Sequence, residues 1–160
     1  MFTALIAAAL LQTTAPTDWL IDDTTSALDQ QRTYLAGRES DEPIINVIGR
    51  PEKAMLILTC AADRRKVALQ WPAFLGRDQV YVDWKVGDGE IKRSTFYLMS
   101  GTSAQIQGRD AETMLTAFRS EQPLAIRVHG RGVQEATFSL AGAGQQIDVI
   151  EEACPARRRR

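Results

Sequence analysis

Apolar and polar residues alternate with a period of two through the middle of the chain, the signature of strands with one buried face. Ala54, Leu56, Leu58 and Cys60 fall on one side of a predicted strand, with Met55, Ile57 and Thr59 opposite. Both sides are largely apolar, which places this strand centrally in a sheet. Lys66 to Trp71 alternates again, setting Val67, Leu69 and Trp71 together, and Pro72 ends the run. Residues 73–78 read as loop. Val80, Val82, Trp84 and Val86 then point inward, with Tyr81, Asp83 and Lys85 outward. Gly87-Asp88-Gly89 separates them from another alternating run, Ile91 to Met99. An Asp-Gly pair between two such runs predicts a hairpin whose two turn residues take positive φ.

The flanks are less regular. Asp22, Asp23, Thr24, Thr25 and Ser26 form a polar stretch, and Gln30 to Leu35 is predicted as the first strand. Ile44 to Ile48 reads as a further strand before a turn at Gly49 and Pro51, and Ser103 to Gln107 as a short one. Asp110 is placed as the cap of a helix reaching Glu121, with Met114, Leu115 and Phe118 on its apolar face;. Leu124 to His129 and Ala136 to Leu140 are predicted strands joined by a Gly130-Arg131-Gly132 turn. A last helix, Gly144 to Cys154, carries Ile147, Ile150 and Cys154 on one stripe before Pro155 stops it. This order predicts an α+β fold: a mainly antiparallel, twisted sheet of roughly seven to nine short strands with two helices.

Composition adds a compartment. Phe2 to Leu11 is an apolar run followed by small and polar residues, so residues 1–15 read as a secretion signal;. As a helix, that ten-residue run would span about 15 Å, half the thickness of a bilayer core. Residues 17–154 form the predicted single domain and 155–160 a basic tail. The two cysteines, Cys60 and Cys154, are too far apart for a metal knuckle or a redox pair;. In an oxidising compartment they are expected to form one disulfide. The protein is therefore expected in the periplasm or outside the cell.

Charge and candidate chemistry narrow the function classes. Setting aside Arg157, Arg158, Arg159 and Arg160, the body has 15 basic groups against 20 acidic ones, a balance of −5. An acidic body argues against nucleic acid as a partner. The four arginines read as a solvated terminus, with contact to an anionic membrane as the alternative. The single histidine, His129, reads as an ordinary polar strand residue, because no GxSxG elbow supplies a nucleophile;. One histidine and two distant cysteines do not make a zinc set, and no glycine-rich phosphate loop is present;. Asp22, Asp23, Asp83, Asp88 and Glu90 are the carboxylates from which a glycosidase pair would have to come;. No cofactor is implied. Trp71 and Trp84 share faces with core residues, whereas Phe74 follows Pro72 in a loop and is expected to be exposed. Phe74, Arg77 and Asp83 are the candidate partner-contact residues.

Several segments together resemble the VasI-type family of type VI secretion accessory proteins and related small exported proteins. They are Trp19, LILTC (Leu56 to Cys60), VALQWPAFLG (Val67 to Gly76), VYVDW (Val80 to Trp84), LAIRV (Leu124 to Val128) and ATFSLAGAGQQIDVIEEAC (Ala136 to Cys154). Where that family often has an Arg two residues before the middle-strand Asp, this chain has Tyr81. The resemblance implies a fold and an exported compartment, and it brings no catalytic residues to carry over. The expected function is a non-catalytic protein-interaction or accessory domain whose partner is another envelope protein. The alternatives are a periplasmic enzyme inhibitor or small-ligand binder presenting Ala73 to Gln79, and then a carboxylate-based cell-wall hydrolase.

Overall fold

The computed structural model describes residues 18–155, so the expected signal segment and the four-arginine tail lie outside the described residues. The strands are β1 (Leu20–Thr25), β2 (Arg32–Glu39), β3 (Ile44–Ile45), β4 (Pro51–Glu52), β5 (Met55–Ala61) and β6 (Arg64–Gln70). They continue as β7 (Gln79–Val86), β8 (Lys92–Ser100), β9 (Ser103–Gln107), β10 (Leu124–His129) and β11 (Val133–Phe138). Helix α1 (Arg109–Phe118) follows β9, and α2 (Ala143–Ala153) follows β11. Nine strands form one sheet in the order β1-β2-β5-β6-β9-β8-β7-β10-β11, every neighbouring pair antiparallel. β3 and β4 make a separate small hairpin. The predicted α+β class is the observed one.

The period-two residues explain the core. Leu56, Leu58, Val67, Leu69, Val82, Trp84, Phe96, Ile106, Leu124 and Phe138 line one face of the sheet, each nearly or fully buried. Met114, Leu115 and Phe118 of α1, with Ile147 and Ile150 of α2, close over it. The sheet curls until its ends approach: the Asp41 N–H donates to the Thr137 carbonyl at 2.8 Å, and Asp41 Oδ1 accepts from the Ser139 N–H at 3.2 Å. The Trp19 indole N–H bonds the Ala141 carbonyl at 2.8 Å, fastening the chain entering β1 to the segment leaving β11.

The two cysteines are joined, with Cα atoms 5.8 Å apart. The bridge links β5, inside the sheet, to the residue that caps the C-terminus of α2. Arg65 of β6 strengthens the same corner. Its Nε donates to the Cys154 carbonyl at 2.8 Å, satisfying a backbone acceptor at the helix end;. The N-terminus of α2 is satisfied from a distance, since the Glu121 carboxylate accepts from Gly142 N–H at 3.1 Å and Gly144 N–H at 3.0 Å. A carboxylate there also complements the positive end of the helix dipole.

Five local expectations are corrected. The polar stretch that begins at Asp22 falls mostly in a strand, β1 (Leu20–Thr25), which sits at the sheet edge with every residue exposed and so shows no alternation. Ile44 to Ile48 is not one strand. Asn46 Oδ1 accepts from the N–H groups of Ile48 and Arg50, at 3.0 and 2.9 Å, which bends the chain after Ile45. The β7–β8 hairpin forms, but its positive φ belongs to Gly87, at 54°, and not to the Asp88-Gly89 pair. Helix α1 starts at Arg109 behind Gly108, with no side-chain cap, and ends at Phe118, so Asp110 lies inside its first turn. The second hairpin strand near the end begins at Val133, earlier than the predicted Ala136.

Candidate functional site

Two features stand out around β10, one reached by Val128 and the other by His129. The first is a cleft of about 220 Å³ between three loops, lined by Val47, Phe74, Leu75, Arg131 and Gln134 over a floor formed by Trp71. Trp71 is 2% exposed, and its indole N–H donates to Gln134 Oε1 at 2.8 Å. Its own backbone N–H is held by the Thr102 carbonyl at 2.7 Å. The Phe74 loop is pinned where Leu75 N–H bonds the Gly101 carbonyl at 2.8 Å. Gly130 lets the β10–β11 turn approach that loop, since a Cβ there would lie 3.2 Å from Leu75 and Phe74 backbone atoms. The Phe74 ring packs on Gly101 on one side, and the Arg131 guanidinium lies 5.6 Å from the ring centroid. That is cation–π distance.

The second feature is an ionic cluster on the sheet face opposite the core. Asp83 of β7 faces Arg93 of β8 and Arg127 of β10 across the ladder. Arg93 binds its carboxylate with both ends of the guanidinium, Nε to Oδ1 at 2.6 Å and Nη2 to Oδ2 at 3.0 Å. His129 Nε2 lies 2.8 Å from Oδ2. These hydrogen bonds, Arg93 first and His129 second, hold the Asp83 carboxyl well below the usual aspartate range against the opposing effect of burial;. Arg127 pairs with Glu135 at 2.6 Å, and Arg93 also lies 5.9 Å from the Tyr81 ring centroid.

A depressed carboxyl pKa gives this cluster a pH signature. The folded value lies below the ordinary aspartate value of 3.8. Its stabilisation is therefore complete above about pH 4 and is lost as the pH falls below it. Asp83→Asn is expected to lower stability at pH 7, with the difference from the unsubstituted protein narrowing at pH 3. Denaturant titrations at both pH values measure it, and an equal difference at each would contradict the assignment.

Of the residues singled out in the sequence, Phe74 lines the cleft and is 38% exposed, while Arg77 is exposed further along the same loop. Asp83 is not brought to them. It is 8% exposed, and both its oxygens are engaged. His129 is more than a solvated strand residue, because it completes the Asp83 cluster. An Asp–His pair can orient an imidazole as a base. Both thiols are consumed in the disulfide, however, and no hydroxyl hydrogen bond to His129 is found among the described residues. Nor do three His, Cys, Asp or Glu side chains converge there as a metal set requires;. Asp23 pairs with Arg32 at 2.8 Å on the exposed β1–β2 edge. Val47, Arg131 and Gln134 were not singled out. They arrive from segments more than eighty residues apart, and only the curl of the sheet unites them.

No family model matches the chain, and no curated protein sequence is similar to it. The fold has a solved counterpart. The crystal structure of invasion associated protein B from Bartonella henselae superposes with a TM-score of 0.52, covering 84% of this chain and 92% of that one. Sequence identity is 14%, so the likeness is one of architecture. It supports the sheet-and-two-helix reading and carries no residue roles across.

Proposed function

We propose that the protein is a non-catalytic, exported interaction domain that binds another envelope protein through the Trp71-floored cleft. The observation that carries this is the apolar rim. Val47, 77% exposed, and Phe74, 38% exposed, line the cleft around an arginine, Arg131, that makes no salt bridge among the described residues. Exposed apolar side chains gathered at a concave site mark contact surfaces more than catalytic ones. The disulfide fits an oxidising compartment;. Among the described residues no helix is long and apolar enough to cross a membrane. The segments that resemble the VasI-type family favour a secretion accessory, and the fold likeness to an invasion associated protein is compatible with an accessory role. The pinned Phe74 loop favours a second reading, an inhibitor that presents a rigid loop to an enzyme cleft.

A photo-cross-linking amino acid in place of Phe74, used in the native cell envelope, tests the first reading. It is expected to yield one discrete adduct with another protein, lost when Val47→Asp adds a charge to the rim. Absence of any adduct would remove the interaction reading. Loss of peptidoglycan turnover in Asp83→Asn would instead favour a carboxylate hydrolase.

A further inference from the structure

Beside the cleft runs an unpaired strand edge. β11 is the last strand of the sheet, hydrogen-bonded to β10 on one side only. Its outward groups can be assigned from the Asp41 contacts. The Thr137 carbonyl accepts from Asp41 N–H, and the Ser139 N–H donates to the Asp41 side chain, so both residues direct their main chain away from β10. Alternate residues of a strand point the same way. Glu135 and Val133 therefore also present N–H and C=O groups to the outside. Among the described residues no hydrogen bond reaches them from that side. The opposite sheet edge, β1, carries Asp22 and Asp23, charges of the kind that discourage added strands;. The β11 edge ends at the apolar cleft instead.

We infer that an extended segment of a partner protein adds to the sheet alongside β11, with one apolar side chain in the Trp71-floored cleft and a carboxylate on Arg131. Each element of the occupant answers something on the surface. The open main-chain groups of Val133 and Glu135 require a partner in β conformation, because only an extended backbone repeats donors and acceptors at that spacing. Every second side chain of an added strand points to the core side of the sheet, where Gln134 of β11 already lines the cleft;. Arg131 is held over Phe74 and makes no salt bridge among the described residues, so a carboxylate supplies the missing charge;.

This mode rests on the interaction reading and deepens it. The probe is a library of phage-displayed random octapeptides selected on the oxidised full chain, the winner then being synthesised, labelled and titrated. Selected peptides are expected to combine an apolar residue with Asp or Glu. At saturation, hydrogen exchange at the Val133 and Glu135 amides is expected to slow by roughly tenfold or more. Val133→Pro removes an outward N–H without breaking a bond to β10, a position at which edge strands tolerate proline. It is expected to weaken the peptide by roughly tenfold while the melting temperature holds. Arg131→Glu is expected to abolish the preference for acidic peptides. Failure to select any peptide tighter than about 1 mM overturns the inference. So does a bound peptide that leaves both amides exchanging at their free rate, a readout that holds even if the proline variant does not fold. A Phe74 adduct that forms in cells while the edge stays unprotected would sink strand addition and leave the interaction reading standing.

Discussion

Reducing the Cys60–Cys154 bridge is expected to lower stability by about 4 to 5 kcal/mol, the loss of loop-closure constraint for a separation of 94 residues;. For a domain of this size that corresponds to a fall in melting temperature of roughly 10 to 20 °C. The effect should be uneven. The bridge fastens the end of α2 to β5, whereas β5 itself is held by ladders to β2 and β6 on both sides. Without the bridge, α2 retains Ile147 and Ile150 in the core, the buried hydrogen bond from the Tyr34 hydroxyl to Gln146, and the Arg65 contact to the Cys154 carbonyl. Amide exchange in α2 should therefore rise before exchange in the sheet. The double substitution Cys60→Ala with Cys154→Ala should match the reduced protein, apart from the packing of two buried sulfurs. A reduced protein melting within about 2 °C of the oxidised one would show that the bridge constrains nothing that the native contacts do not already fix.

What the sequence disclosed, and what it hid, follows from how local each signal is. β5 to β8 were legible because one face of each strand is buried, and burial writes a period of two. β1 was not, because all six of its residues face solvent and its pairing with β2 is made by the backbone and by the Asp23–Arg32 pair. The apolar run from Ile44 suggested a longer strand because hydrophobicity alone does not register the Asn46 side chain competing for backbone N–H groups;. The Gly87-Asp88-Gly89 signal gave the hairpin but not its turn, since three candidate residues were available for one left-handed position. At the site, Phe74 could be read as exposed from Pro72 and the loop composition. Its neighbours could not. Val47 and Gln134 meet only because β11 lies at the far end of a sheet that curls back toward the β3–β4 hairpin. The Asp83–His129 contact depends on the register of β7 against β10, and no local pattern encodes that register.

Trp71→Ala is expected to cost about 3 to 5 kcal/mol, because the indole is almost wholly buried and its removal leaves a void that a sheet fixed on both sides closes poorly;. The same substitution also changes the site. It deletes the floor of the cleft and frees the Gln134 side chain, whose oxygen accepts the indole N–H in the intact protein. Trp71→Phe separates these effects. It keeps much of the buried area but loses the hydrogen bond, at an expected cost of about 1 to 2 kcal/mol from the unpaired Gln134 oxygen. If the cleft docks a partner, the Phe variant should fold well below its melting point and still bind less tightly, because Gln134 is no longer held against the floor. Gln134→Leu in the Trp71→Phe background should recover stability, since an apolar pair replaces a half-satisfied polar one, without recovering binding. Denaturant titrations of the single and double variants give the coupling energy between the two side chains directly. A coupling near zero would mean that Trp71 acts as core alone, and the cleft would then lose its claim to a prepared floor.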